Sequence, residues 1–234
     1  MACHYPSDSA VRTNFTRGVN ISPDSRWISF VQTAKNTFAQ ILLYNPAEGS
    51  LTELTTDRMN SNSPSWSADG KWLYFLSDRN FETLVGSPWG SRQPEPYFDR
   101  KMKLYHVALQ AGARSPFQPD DELWEEPEKE KEDEEKEMTV SIDTDGIARR
   151  IQEVPVPPGN YRNLRINDKA LYFTSSETGA NAKTHLMVLK IENDSPKPVS
   201  MVENIQGFDL SANGKKILLR KNGSNYYVVD AGTG

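Results

Sequence analysis

Ser67-Ala68-Asp69-Gly70-Lys71-Trp72-Leu73-Tyr74-Phe75 decides the fold, because the chain repeats it. It recurs as Ser22-Pro23-Asp24-Ser25-Arg26-Trp27-Ile28-Ser29-Phe30 and as Ser211-Ala212-Asn213-Gly214-Lys215-Lys216-Ile217-Leu218-Leu219, with a shorter copy at Asn167-Asp168-Lys169-Ala170-Leu171-Tyr172-Phe173. Each copy joins a polar turn to an apolar, β-prone run. In the turn, a short carboxylate or amide accepts local backbone N–H bonds and glycine permits positive φ. Repeats of roughly 40–50 residues built this way read as blades of a β-propeller. The expected fold class is therefore all-β: a β-propeller of four-stranded blades, about four of them, which is the lower limit for a propeller.

Working outward from the first copy, strands are expected near Val19–Ile21, Trp27–Gln32, Gln40–Tyr44 and Leu51–Leu54, with the turn-rich connector Asn45-Pro46-Ala47-Glu48-Gly49 before the last. Spacing extends the pattern. Phe30 and Phe75 lie 45 residues apart, Phe173 and Leu219 lie 46 apart, but Phe75 and Phe173 lie 98 apart. Insertions in the second blade account for the excess better than a hidden blade does. Leu104–Leu109 makes a good third strand, flanked by Pro/Gly-rich Asn80–Arg100 and by Pro116–Met138. The blades then span about 17–57, 61–157, 159–203 and 204–234. The last blade offers strands near Gln206–Leu210, Lys215–Arg220 and Asn225–Val229 and lacks an outer strand, a role open to Val11–Thr16 in a closed ring.

The net charge of −5 is unevenly distributed. Asp120–Glu137 holds 12 acidic residues and 3 lysines, while the rest of the chain carries 24 basic and 20 acidic residues. The run Glu130–Glu137 has no apolar face to bury, so the insertion 118–138 is expected to be disordered. No basic cluster marks a nucleic-acid surface, and no run of about 18 apolar residues marks a membrane span. The N-terminus lacks the features of a signal peptide. Cys3 alone can form no intrachain disulfide, and a cytoplasmic and a periplasmic setting fit equally.

Chemistry-bearing motifs are sparse. There is no Gly-x-Ser-x-Gly elbow, no His-Glu-x-x-His helix and no phosphate-cradling glycine loop. Of the three histidines, His4 sits in an expected tail. His106 and His185 lie in third strands of different blades, in what read as matching positions, so a packing role is expected. Asp143-Thr144-Asp145-Gly146 resembles the start of a calcium loop, but Val154 stands where an EF-hand needs glutamate, so a polar turn before a strand is the better reading. Asp24 and Asp69 lack the spacing of a sialidase Asp-box and suit turn chemistry. Trp27, Trp66 and Trp72 are expected between blades, whereas Trp89 and Trp124 fall in insertions. The triplets Asn14-Phe15-Thr16, Asn20-Ile21-Ser22 and Asn222-Gly223-Ser224 match a glycosylation pattern that arises often by chance. No catalytic, metal or cofactor-binding residue is assigned.

The repeat resembles the propeller repeats of TolB-like proteins and of several peptidase families. Ile142-Asp143-Thr144-Asp145-Gly146-Ile147-Ala148-Arg149-Arg150-Ile151, followed by Val154-Pro155-Val156-Pro157-Pro158-Gly159-Asn160-Tyr161, is more distinctive. It resembles a stretch in the second, seven-bladed propeller of tricorn-type serine proteases, where it also follows an acidic, variable insertion. Ser77-Asp78-Arg79 and the aromatic Trp72/Tyr74/Phe75 strand suit the same family. The resemblance covers roughly Arg17 to Asp230. It implies more than four blades, and so an incomplete, open ring here: a propeller segment without the protease domain, one that guides peptide access and assembly, with peptide substrates or a catalytic domain as partners and self-association through open blade faces. A stand-alone TolB-like interaction propeller is the alternative, and a propeller glycosidase would need convergent acids that no motif identifies.

Overall fold

Four antiparallel sheets follow one another along the chain, and each begins just before one copy of the repeated turn. The computed structural model describes residues 16–80, 99–120, 138–179, 181–221, 223 and 225–232. Cys3, His4, Trp89, Trp124, the stretch 11–15 and most of both insertions lie outside the described residues. The first sheet runs β1 (Thr16–Ile21), β2 (Ile28–Thr33), β3 (Ala39–Asn45) and β4 (Ser50–Glu53). The second runs β5 (Ser61–Trp66), β6 (Trp72–Ser77), β7 (Lys103–Ala108) and β8 (Ile151–Glu153). The third runs β9 (Tyr161–Ile166), β10 (Ala170–Ser176), β11 (Thr184–Lys190) and β12 (Val199–Val202). The fourth has three strands: β13 (Gly207–Leu210), β14 (Lys216–Lys221) and β15 (Asn225–Asp230).

The sheets are blades of a β-propeller arranged as an open arc, which no strand pairing among the described residues closes. The innermost strands pack in succession: β1 on β5, β5 on β9 and β9 on β13. The long gap between Phe75 and Phe173 holds no extra blade among the described residues. Both insertions interrupt the second sheet, one between β6 and β7 and the other between β7 and β8. Thr16 opens the inner strand β1, paired with Gln32, so that residue belongs to the first blade and not to an outer strand.

The repeated turn works through its hydroxyl and its acid or amide. Ser22 Oγ accepts from Trp27 N at 2.9 Å and donates to Asp24 Oδ1 at 2.6 Å, while Arg26 N donates to the same carboxylate oxygen at 3.1 Å. Ser67 and Asp69 repeat this: Trp72 N donates to Ser67 Oγ at 2.9 Å and Lys71 N to Asp69 Oδ1 at 3.0 Å. Ser211 and Asn213 do the same for Lys216 N and Lys215 N. In the shortened third copy, Asn167 Oδ1 takes both Lys169 N and Ala170 N, at 3.0 and 2.9 Å. An otherwise unpaired backbone donor thus finds an acceptor at the start of each second strand.

Turns of adjacent blades are also tied together. Val140 N donates to Asp24 Oδ2 at 2.7 Å, and the Val140 side chain covers Gly70, where a Cβ would meet Val140 Cγ2 at 2.8 Å. Gly70 also has φ +65°, so glycine is required there both by conformation and by space. Between blades three and four, Asn167 Nδ2 donates to Gly214 O at 3.0 Å. Burial pulls the Asp24 pKa upward, but hydrogen bonds from Ser22, Val140 and Arg26, with the charge of Arg26, outweigh it and hold the group below its usual value.

Three apolar clusters fill the three junctions. Val31, Ile41, Leu43 and Trp27 meet Leu73, Phe75, Tyr105 and Trp66 between the first and second blades. Trp72, Tyr74 and Leu104 meet Leu164, Leu171 and Phe173 at the next junction, and Tyr172 and Val188 meet Phe208, Ile217 and Leu219 at the last. Trp27, Trp66 and Trp72 are therefore inter-blade core, as their spacing implies.

Burial patterns locate the ends of the arc. Every residue of β6 is buried, because a blade packs on each of its faces. In β14 exposed and buried residues alternate, with Ile217 and Leu219 covered and Leu218 open. β2 alternates in the same sense: Ser29 and Val31 are buried, while Ile28 and Phe30 are half-covered.

Candidate functional site

The inner strands converge on a central funnel, a concavity to which every blade contributes. At the turn end, a cavity of about 920 Å³ is lined by the tips of β1, β5, β9 and β13, including Ile21, Trp66, Ile166 and Leu210. Its rim is polar. Arg165 Nε donates to Asp209 Oδ1 at 2.9 Å, linking the inner strands of blades three and four. Asn20 Nδ2 donates to Pro64 O at 2.6 Å across the first junction, and away from this cavity Asn163 Nδ2 donates to Phe208 O at 2.9 Å across the third. Amide side chains thus serve as spacers between neighbouring inner strands.

At the opposite end, a cavity of about 760 Å³ is bounded by Arg17, Asn62, Lys101, Arg162, Asp99 and Glu177 among others. Burial tends to raise the Asp99 pKa, but hydrogen bonds from Asn160, Thr178 and the Arg100 backbone, with the charge of Arg100, leave it below its usual value. This end of the funnel escaped the sequence analysis. A signal for it exists: Arg17, Asn62, Arg162 and Gln206 each stand five residues before the first residue of a repeated turn.

The two described histidines, His106 and His185, do not build a reactive site. His106 and His185 both lie in third strands, but out of register: His106 pairs with Tyr74, whose counterpart Tyr172 pairs with Val188, while His185 pairs with Ser175. His106 Nε2 lies 2.8 Å from Ser115 Oγ, a spacing that a nucleophile and its base also show. Both residues are buried, however, and Trp72, Tyr74 and Phe117 surround the imidazole at 5.2–5.7 Å between ring centroids. Burial pushes the His106 pKa down to about 4, so the ring is neutral and acts as an aromatic packing element. His185 Nε2 lies 3.2 Å from Glu177 Oε1 at the surface.

The Asp143–Gly146 segment is a polar turn in which a cation of the chain itself plays the organising part. Gly146 has φ +64° and leads into a 3₁₀ turn over Ile147–Arg150, after which β8 begins. Arg150 folds back to donate to the carbonyls of Ala108, Asp143 and Asp145, and Asp143 Oδ2 accepts from Ala111 N at 2.8 Å. The guanidinium thus organises the turn through its backbone carbonyls, and one Asp143 carboxylate oxygen is taken by a backbone N–H. Among the described residues no group of three His, Cys, Asp or Glu side chains is placed to hold a metal ion.

Comparisons with known proteins bear on this architecture. Residues 10–232 match the family model of the tricorn protease second beta propeller domain. Tricorn protease homolog 1 of Streptomyces coelicolor is 31% identical over 224 residues, an alignment covering 88% of this chain and 20% of that protein. A tricorn protease homolog of Saccharolobus solfataricus is 25% identical over 205 residues, covering 84% of this chain and 17% of that protein. The chain thus spans about a fifth of the length of the curated relatives it matches. Among solved structures, tricorn protease superposes with a TM-score of 0.72 at 20% identity, over 91% of this chain and 20% of that one. TolB from Acinetobacter baumannii follows with 0.52 at 21% identity, over 94% and 42% of the two chains. These last two likenesses concern the fold. A match running through all four blades, together with the inter-blade packing of the repeat, makes this chain a member of the tricorn protease second beta propeller domain family.

Proposed function

We propose that the chain is a non-catalytic propeller segment of a tricorn-like peptidase that guides peptides along its axis and takes part in assembly. The funnel carries this reading: all four inner strands contribute to one cavity of about 920 Å³, a volume within the range of ligand-binding clefts. Its rim is polar, with Asn20, Asn167 and Asn213 among the lining residues. The isolated chain should bind labelled peptides and cleave none. Fluorescence anisotropy with a fluorogenic peptide library measures both at once. Cleavage that co-purifies with the chain through successive columns would overturn the non-catalytic role, and absence of binding would overturn the guiding role.

Assembly is supported by the two end faces. On the fourth blade Leu218, Tyr226 and Val228 are 44%, 59% and 66% exposed on a single face, since Leu218 pairs with Val228 and Arg220 with Tyr226. On the first blade half-covered Ile28, Phe30 and Tyr44 share a face with buried Leu42, and that face belongs to none of the three inter-blade clusters. Apolar sheet faces of this kind favour association. Light scattering should show concentration-dependent dimers or larger species, and Leu218→Glu with Val228→Glu should return the chain to monomer. A monomer at every concentration would remove the assembly role.

A further inference from the structure

The non-turn end of the funnel carries a feature that axial guidance alone does not require. Arg17, Asn62, Arg162 and Gln206 occupy equivalent positions at the start of four successive inner strands, and every one is a side-chain N–H donor. The residue that follows has a left-handed backbone in three of the four blades: Gly18 at φ +60°, Ser63 at +54° and Asn163 at +52°. Ser63 and Asn163 adopt this conformation without being glycine, which carries a cost. The strand register shifts at the same place in each of the three. The shift falls between Arg17 and Asn20 on β1, between Asn62 and Ser65 on β5, and between Arg162 and Arg165 on β9, whose partners are Thr174 and Tyr172. Repeated irregularity at one structural position points to a built mouth.

The mouth is positively charged and its cations are uncommitted to carboxylates. Arg17 donates to Asn62 Oδ1 at 2.9 Å. Lys101, Arg162 and Arg220 have no acidic partner among the described residues. Arg162 forms a shared wall with an adjoining cavity of about 500 Å³ that Gln206 and Arg220 also line. The two acids lining the larger cavity are already engaged. Asp99 accepts from Asn160 and Thr178 at 2.7–2.9 Å and faces Arg100 at 3.6 Å, and Glu177 lies against His185. The free donors therefore suit an external acceptor that carries negative charge.

We propose that this ring binds peptide carboxylates, either the C-terminal group or acidic side chains, and so makes the funnel selective for anionic peptides. The proposal rests on the axial-guidance reading and names the substrate class for it. Arginine and amide donors match the two oxygens of a carboxylate. The cations are separated by neutral amides and not laid out as a continuous basic stripe, which suits a single carboxylate better than a phosphate backbone. Ala108 and Ile151, the ends of β7 and β8 that flank the acidic stretch of sequence, lie on the side of the repeated turns, away from the ring.

Four fluorescein-labelled octapeptides test this: one with two glutamates and a free C-terminus, its amidated form, its Glu→Gln form, and the form with both changes. The acidic peptide should bind the wild-type chain tightest, and its affinity should fall with added salt. Arg17→Gln combined with Arg162→Gln should weaken it on the order of tenfold. Arg17→Lys with Arg162→Lys should keep the salt dependence but only part of the affinity, because lysine preserves the charge and not the paired donors. Loss on amidation identifies the C-terminal group as the ligand, and loss on Glu→Gln identifies the side chains; either supports the ring. Arg220→Gln alone gives a second, milder variant, and the salt dependence of the unaltered chain needs no variant. Equal, salt-independent binding of all four peptides would overturn the carboxylate ring and leave axial guidance standing. No binding of any peptide would overturn both.

Discussion

Phe75→Ala should lower the unfolding free energy by about 3–5 kcal/mol, whereas Leu218→Ala, in the corresponding strand of the fourth blade, should change it by less than about 0.5 kcal/mol. The two residues differ in what covers them. Phe75 is fully buried at the first junction, with its ring stacked on Tyr105 at 5.7 Å between centroids. Truncation there removes a large apolar surface and leaves a cavity between two sheets that cannot collapse without moving a blade. Leu218 points away from the third blade and is 44% exposed. Against a typical total stability of about 5–15 kcal/mol, the first loss removes a large share of the margin. Urea denaturation of both variants, at a concentration where the chain is monomeric, is the measurement. Comparable losses would mean that the fourth blade's outer face is covered in solution, and the open arc would have to be abandoned.

Acid should destabilise the chain in a window set by His106. Burial lowers the folded-state pKa to about 4, against the usual 6.5 that applies once the chain unfolds. Between these values the unfolded chain binds a proton that the folded chain refuses, so stability rises with pH. The contribution is complete above about pH 6.5, declines as pH falls toward 4, and levels off below that. The full difference amounts to about 3 kcal/mol. Tyr74, stacked on the imidazole, is itself held protonated by burial and by the charge of Asp69, so it supplies no counter-charge. His106→Met should flatten the profile between pH 6.5 and 4, though it forfeits the hydrogen bond to Ser115. A wild-type profile already flat in that window, or one that the substitution leaves unchanged, would show that the ring takes up its proton without penalty. Asp24 and Asp99, whose pKa values lie below the usual range, lose their stabilising hydrogen bonds only at lower pH.

The blade is a local object, and for that reason much of it could be read from the chain. The turn from Ser67 to Trp72 closes within six residues, through hydrogen bonds that Ser67 and Asp69 make to their own neighbours. Strand, turn and strand are adjacent in sequence, so β2, β3 and β4 lie close to where the apolar runs place them. The same holds for the three strands of the fourth blade. The family match follows from this too, since the Asp-Gly-Ile to Asn-Tyr stretch is continuous in sequence. Its detailed shape was less legible: Arg150 reaching back to Ala108 is a contact across 42 residues.

Relations between blades were decided by the tertiary structure. Whether a residue of a second strand is core depends on a neighbouring blade and not on its own pattern. Tyr74 is buried because the third blade lies against it, while Leu218, at the same position, is exposed because no described blade does. Asp24 gains a partner in Val140, 116 residues away, that turn chemistry alone does not anticipate. His106 and His185 share a strand number but not a register, which only the pairing with β6 and β10 reveals. The cationic mouth is the strongest case. Arg17, Asn62, Arg162 and Gln206 are 44 or more residues apart in sequence, and each alone is an ordinary exposed or half-exposed polar side chain. Sequence determined the blade, because its hydrogen bonds are short-range; packing of successive inner strands brought Arg17, Asn62 and Arg162 to one cavity and Gln206 to the one adjoining it.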